Sequence, residues 1–291
     1  MLILNSPEVT QETCVRWKIE SQVALVPTMG CLHEGHLALV RRAKELALKV
    51  VVSIFVNPLQ FGPNEDFKKY PRAFEEDCKK LESLGVDLLF YPTVKDLYPE
   101  SFATKVSVGE IGHRLCGAFR PGHFDGVATV VLKLFEVTAC DFAVFGEKDF
   151  QQLTVIQQLT RDFNLPVCVV PYPTVRAKDQ VALSSRNNYL SPKEREAATQ
   201  IPIAFKLAQE EVTQNPRQTV EELLKKISPL LTSQELKLQY LEITQNRELL
   251  ATQPNDCIQS LILPHLFVAV YAGTTRLIDN LSLKGFIYEK A

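Results

Sequence analysis

VALVPTMGCLHEGHLALVRRAKELALKVVVSIFV, residues 23–56, decides how the chain is built. VALVP (23–27) reads as a buried strand, and VVVSIFV (50–56) as a second one closed by the Asn57-Pro58 turn. Between them, HLALVRRAKELAL (36–48) sets Leu37, Val40, Ala43 and Ala47 at helical spacing, with Arg41, Lys44 and Glu45 on the other faces. The same alternation continues downstream. VDLLFYP (86–92), DFAVFG (141–146) and VCVVPYP (167–173) are further strand candidates, separated by helical stretches such as FEEDCKKLESLG (74–85) and KDFQQLTVIQQLTRDF (148–163). Near-continuous Val/Leu/Phe strands alternating with helices need cover on both faces of their sheet. The predicted fold class is therefore α/β, a doubly wound (Rossmann-like) parallel sheet with ligands outside the carboxyl ends of the strands.

Past about residue 175 the texture changes. SPKE (191–194) is a capping box with proline at the first helical position, and TVEE (219–222) resembles another. LQYLEI (238–243) and LFVAVYA (266–272) are strands with more alternation. These features predict a smaller α+β C-terminal domain, dividing the chain into 1–175 and 176–291. The polar stretch 174–190, which lacks periodicity, is the expected hinge.

Composition narrows the function classes. The chain of 291 residues is 46% hydrophobic and 23% charged, the balance of a globular protein. A net charge of −2 excludes a broad nucleic-acid footprint. The seven cysteines (14, 31, 78, 116, 140, 168 and 257) form no CxxC pair, which fits a reducing compartment better than a disulfide framework or a zinc site. VVVSIFV is too short to span a bilayer, and MLILNSPEVTQETC has neither the basic nor the apolar region of a signal peptide. A cytoplasmic protein with no membrane and no nucleic-acid partner is expected.

Three stretches carry candidate chemistry. His33 and His36 follow a strand and a glycine-containing loop, at the start of a helix. Backbone N–H groups and the helix dipole there favour anions, and residues three apart share a face, so both rings can approach one phosphate. Gly30 and Gly35 let a ligand come close to the backbone. A capping histidine beside a packed one, or a zinc pair, are the competing readings of HxxH. In FGEKDFQQL (145–153), Lys148 and Asp149 stand where a strand ends and a helix begins, so the lysine can neutralise a phosphate. In ALSSRNNYL (182–190), two hydroxyls, a guanidinium and an asparagine make a dense donor cluster for phosphate oxygens.

Together these stretches resemble the HIGH-type nucleotidylyltransferase superfamily, with H-E-G-H as its histidine motif and L-S-S-R as its mobile loop. PTMGCLHEGHLALV, VVSIFVNPLQFGPNEDFKKYPR, FGEKDFQQL, PTVR and LSSRNNYLS, in this order, are similar to the pantoate–β-alanine ligase (pantothenate synthetase) family, with RPGHFDGVATVVLKLF (120–135) and TRLIDNL (275–281) in support. The resemblance implies an ATP-dependent, AMP-forming ligase that joins pantoate to β-alanine through pantoyl adenylate, in the synthesis of a coenzyme A precursor. It implies Mg²⁺ on the phosphates and a homodimer.

Residue by residue, the resemblance marks Met29, Gly30, Cys31, Leu32, His33, Glu34, Gly35 and His36 as an ATP loop, with His36 the catalytic histidine and His33 its phosphate-contacting partner. Gly146, Glu147, Lys148 and Asp149 match a second ATP segment, and Val175 with Leu183, Ser184, Ser185 and Arg186 a third. Gln60 and Gln152 match the glutamines that hold pantoate, with Gln60 also a candidate for β-alanine. Asn57, Tyr70, Arg120 and His123 lie in matching segments. The chain departs from the family at Gln180, where a glycine is usual, at Leu183, where methionine is common, and at Thr274, where lysine is common. Gln180 is expected to restrict the loop if that position needs positive φ. An adenylyltransferase acting on a phosphorylated precursor and a catalytically silent nucleotide-binding protein are the competing functions.

Overall fold

The computed structural model describes residues 1–63 and 65–284. Asn64, inside the NPLQFGPNEDFKKYPR segment, and 285–291, the end of the expected second domain, lie outside the described residues. The chain divides into two compact units, one of Met1–Glu147 with Gln152–Val175, the other of Lys148–Gln151 with the chain from Arg176 onward.

The first unit is built on six strands, β1 (Leu2–Leu4), β2 (Val23–Thr28), β3 (Lys49–Ile54), β4 (Leu88–Phe90), β5 (Phe142–Gly146) and β6 (Cys168–Tyr172), in the order β1-β4-β3-β2-β5-β6. Every pair in it is parallel. Its helices are α1 (Pro7–Glu20), α2 (Glu34–Leu46), α3 (Phe74–Ser83), α4 (Val94–Leu97), α5 (Cys116–Phe119), α6 (His123–Thr138) and α7 (Phe150–Asp162), the last starting within the second unit. Strand alternation sorts the core. Ala24, Val26, Val50, Val52, Leu89 and Val144 face Val40 and Ala43 of α2 and Leu81 of α3. The opposite face is covered by α1 and α6, where Phe135 meets Phe145 edge-on at 6.4 Å. Both faces of β2, β3, β4 and β5 are largely buried, as their predominantly apolar runs require.

The central pairing decides where a ligand can enter. β2 pairs with β3 over its full length, to Thr28 beside Ile54, but with β5 only at Ala24 and Leu25. The chain order reverses here, with β3 and β4 built outward on one side of β2, and β5 and β6 on the other. Strands that part at their carboxyl ends, at such a reversal, leave the crevice in which doubly wound folds take ligands.

The opening residues do more than the sequence suggested. Leu2–Leu4 is an edge strand beside β4, and Ser6 caps α1 by accepting the Val9 amide at 3.2 Å, with Pro7 in its first turn. No helix among the described residues is long and apolar enough to cross a membrane.

In the second unit α8 (Pro192–Ala198), α9 (Gln200–Gln214) and α10 (Val220–Ile227) accompany an antiparallel sheet of β7 (Leu236–Gln245), β8 (Leu250–Ala251), β9 (His265–Ala272) and β10 (Thr275–Ser282), in the order β10-β9-β7-β8. Both expected capping boxes form, Ser191 with Glu194 and Thr219 with Glu222. Leu266, Val268, Val270 and Ala272 of β9 share a core with Ile201, Phe205, Leu223 and Ile227. His265 and Phe267 alternate onto the other face, where Phe150 packs. Helices on one face of an antiparallel sheet make this unit α+β.

Candidate active site

The loop leaving β2 holds left-handed backbone at two consecutive residues, Gly30 at φ +84° and Cys31 at φ +52°. At Gly30 a Cβ would come within 3.0 Å of the Ile54 side chain, so glycine is needed for space as well as conformation. From the sequence, the amides at this helix start are expected to favour an anion, with both imidazoles able to approach one phosphate. The structure shows the partners that five of these amides have within the chain. Gly30 N–H donates to Thr28 Oγ1 at 3.2 Å, and Cys31 and Leu32 donate to the two carboxylate oxygens of Asp77, each at 2.7 Å. His33 N–H donates to His36 Nδ1 at 3.3 Å, and Gly35 N–H to His33 Nδ1 at 3.2 Å. Five amides therefore have partners inside the protein.

The histidine pair is the first turn of α2. His33 is the N-cap and His36 the third helical residue, so the two imidazoles make a capping box usually built from Ser or Thr and Glu. The capping and phosphate-binding readings of HxxH are thus compatible. A ring nitrogen that accepts from an amide carries no proton, so each neutral imidazole has its N–H at Nε2. The rings lie 4.1 Å apart, tilted by 35°. Capping fixes both the tautomer and the direction of the donor.

Asp77, 1% exposed, anchors this loop from α3. Burial pushes its carboxyl above the usual range, and the two amide bonds pull the other way. Lys80, one turn on, donates to the Leu32 carbonyl at 2.7 Å. Within Met29–His36, Leu32 is 3% exposed in the core, and Glu34 pairs with Arg41 on the outside of α2. A cleft of about 190 Å³ at the ends of β2 and β3 is lined by Met29, Gly30, Phe55, Arg72, Asp77 and Tyr91 among others.

Gln60 is held at both ends of its side-chain amide and at its carbonyl. Its Nε2 reaches Met29 Sδ at 3.2 Å, and its Oε1 accepts Asn57 Nδ2 at 3.0 Å. Asn57, 1% exposed, also donates to the Gly126 carbonyl at 3.0 Å and accepts from Tyr98 Oη at 2.9 Å. The Gln60 carbonyl accepts His123 Nδ1 at 2.8 Å and Arg120 Nη2 at 3.1 Å. That leaves His123 Nε2 to accept Arg120 Nη1 at 2.9 Å. Arg120 also grips Glu65 through Nε at 2.7 Å and Nη2 at 2.5 Å. Burial alone would raise the Glu65 carboxyl, but the guanidinium holds it below its usual range. A Cβ on Gly126 would lie 2.3 Å from the Leu59 carbonyl oxygen, so only glycine lets α6 come this close to the Gln60 turn. Tyr70, 6% exposed, packs edge-on against Phe61.

The remaining candidates belong to the second unit, apart from Gly146 and Glu147 at the end of β5, Val175, and Gln152 in the first turn of α7. Lys148 Nζ lies 3.5 Å from Asp149 Oδ1, and the Lys148 carbonyl accepts Asn280 Nδ2 at 2.9 Å. Ser184 caps a short 3-10 helix, Ser185–Tyr189, by accepting Arg186 N–H at 3.3 Å, and this turn packs on β10. β10 is therefore a common neighbour of the Lys148 segment and the Ser185–Arg186 turn. Upstream of Leu183, Arg176 pairs with Asp279 at 2.7 and 3.1 Å, and Asp179 with Arg195 at 2.7 and 2.9 Å. Gln180 does adopt positive φ, at +66°. Thr274 is exposed in the β9–β10 turn, away from Lys148 and Arg186 in the chain.

The sequence reading missed Asp77, Lys80, Glu65, Tyr98, His265 and Asn280. Each acts on a residue far away in the chain, and nothing local marks them. Asn280 lies in TRLIDNL, a stretch whose role a linear reading leaves open.

Among the described residues, no group of three or more His, Cys, Asp or Glu side chains is placed to hold a metal ion.

The family model for pantoate–β-alanine ligase matches residues 2–282. A pantothenate synthetase of Carboxydothermus hydrogenoformans is 50% identical over 264 residues, covering 90% of this chain and 91% of that protein. One from Caldicellulosiruptor saccharolyticus is 48% identical over 260 residues, covering 89% and 90%. The crystal structure of pantothenate synthetase from Thermus thermophilus superposes with a TM-score of 0.90 at 44% identity, covering 98% of this chain and 100% of that one. The pantoate–β-alanine ligase of Francisella tularensis, complexed with β-γ ATP and β-alanine, does so with a TM-score of 0.78 at 36% identity, covering 98% and 99%. With a parallel sheet split at β2 and β5, an H-E-G-H capping box at its mouth and these likenesses over nearly its whole length, the chain belongs to the pantoate–β-alanine ligase family.

Proposed function

We propose that the protein condenses pantoate with β-alanine at the expense of ATP, forming pantothenate, AMP and pyrophosphate. A pantoate carboxylate oxygen attacks the α-phosphorus of ATP, the bond to the bridging oxygen breaks, and pyrophosphate leaves. The amine of β-alanine then attacks the acyl carbon of pantoyl adenylate, loses a proton, and expels AMP. The observation that carries this reading is the His33–His36 capping box, whose Nδ1 atoms are engaged by backbone amides, so that each ring acts through Nε2–H.

Attack of one anion on another builds negative charge at the α-phosphate. In this reading His33 and His36 donate to its oxygens, and Lys148, Ser184, Ser185 and Arg186 serve the same nucleotide, with Asp149 orienting the lysine. Fixed donors of this kind typically supply the largest electrostatic share of a rate enhancement. Met29, Gly30, Cys31, Gly35, Gly146, Glu147, Val175 and Leu183 shape the nucleotide site. Gln60 and Gln152 supply pantoate's hydroxyls with donors and acceptors, supported by Asn57 and Tyr70. Mg²⁺ enters as part of the MgATP substrate, because polyphosphate oxygens and water satisfy it with few protein ligands. Residues 1–175 bind nucleotide and pantoate, and 176–291 act as a lid. The enzyme is a cytoplasmic homodimer on this proposal.

The test separates the half-reactions. Exchange of labelled pyrophosphate into ATP must require pantoate but not β-alanine, and AMP release must then require β-alanine. Exchange supported by another acid, with none from pantoate, would reject the assignment.

A further inference from the structure

Lys148 is held through its backbone by a buried relay in the C-terminal sheet. Its carbonyl oxygen can only accept, so Asn280 must turn Nδ2 toward it, at 2.9 Å. This leaves Asn280 Oδ1 facing His265 Nε2, 2.7 Å away, which therefore carries the proton. His265 is 3% exposed and Asn280 8% exposed. The imidazole also stacks on Phe150 at 4.1 Å and 19°, two residues beyond Lys148. His265 thus supports the Lys148 segment twice, through Asn280 and through the aromatic ring. Burial lowers the His265 pKa to about 4, so the ring stays a neutral donor near pH 7.

The neighbouring residue extends the arrangement. Asn280 N–H donates to Asp279 Oδ1 at 2.8 Å, and the Asp279 carboxylate pairs with Arg176, which in turn donates to the Gln180 carbonyl at 3.0 Å. Adjacent side chains on β10 therefore reach the lysine segment and the loop that leads to Ser184–Arg186.

We propose that Asn280, oriented by His265, is a positioning residue for Lys148 in the adenylation step. This inference rests on Lys148 as an ATP-contacting group. It gives the TRLIDNL stretch a role in chemistry, although neither Asn280 nor His265 touches substrate in this scheme.

The test is a double-mutant cycle on the full-length enzyme, with ATP varied. Lys148→Ala should lower kcat/KM for ATP by about a hundredfold. Asn280→Ala should lower it by about tenfold while leaving KM for pantoate unchanged, and by less than about twofold more in the Lys148→Ala background. His265→Phe keeps the stack on Phe150 but removes the donor, and should shift kcat/KM for ATP in the same direction with the fold intact. If Asn280→Ala fails to fold, His265→Phe in the two backgrounds carries the same cycle. Equal losses in the two backgrounds would show a merely structural role and overturn the proposal, as would unchanged ATP kinetics in a folded Asn280 variant. An unaffected Lys148→Ala enzyme would overturn the role of Lys148 itself, and with it the inference.

Discussion

His33 donates its backbone amide to Nδ1 of His36 over 3.3 Å, joining helix capping and tautomer selection in one contact. His36→Ala should therefore cut the rate of adenylate formation by at least ~100-fold, the lower end of what a positioned proton donor supplies. Loss of the capping acceptor should cost about 1 kcal/mol of stability. Single-turnover kinetics and a thermal melt separate the two effects. Near-normal turnover would remove His36 from the mechanism.

Asp77 meets two amides with two oxygens, and an amide side chain cannot. Asp77→Asn leaves one acceptor and turns an NH₂ group toward a backbone N–H, which should destabilise the protein by about 1–3 kcal/mol. The left-handed loop at Gly30 and Cys31 then loses its anchor, and kcat/KM for ATP should fall by about tenfold. Urea titration and ATP kinetics report these separately. A folded variant with unchanged ATP kinetics would mean that the loop holds its shape without Asp77.

His265 should make stability depend on acidity. Burial depresses its folded pKa to about 4, below the ordinary value of 6.5, so between these limits the unfolded chain binds more protons. Its contribution is present above pH 6.5 and is lost as pH falls toward 4, on the order of 3 kcal/mol in all. Tm measured across that window should fall with acidification in the parent protein and fall less in His265→Phe. Parallel profiles would show that the ring is not buried and neutral in solution.

Gln180 sits at φ +66°, within a turn in which its N–H donates to the Ala177 carbonyl at 2.9 Å. A side chain in left-handed backbone costs about 1–2 kcal/mol, partly offset by the greater unfolded-state freedom of glycine. Gln180→Gly should thus raise stability by about 0.5–1 kcal/mol, while Gln180→Ala should bring no gain. Thermal melts of both variants check the sign.

Periodicity carried the framework into the sequence. The apolar runs at 23–27, 50–56 and 141–146 become β2, β3 and β5 because a strand covered on both faces is predominantly apolar, with small polar residues such as Ser53 and Thr28 the buried exceptions. SPKE and TVEE marked the starts of α8 and α10 because a capping box is local chemistry, complete within four residues. β1 and α1 escaped notice for the opposite reason. Leu2–Leu4 is half of an edge pairing whose other half is β4, and α1 has almost no sorting of apolar and polar faces beyond buried Thr10 and Cys14.

The sequence by itself determined the strand-helix alternation, the histidine pair at the start of α2 and the family to which they belong, since each depends on residues close in the chain. Only the tertiary structure decided that Asp77 takes the Cys31 and Leu32 amides, that Arg120 and His123 converge on the Gln60 carbonyl, and that Asn280 reaches Lys148 across 132 positions. The physical reason is that hydrogen-bond partners for buried polar groups are chosen by proximity after folding, and a linear pattern holds no trace of which distant side chain will arrive.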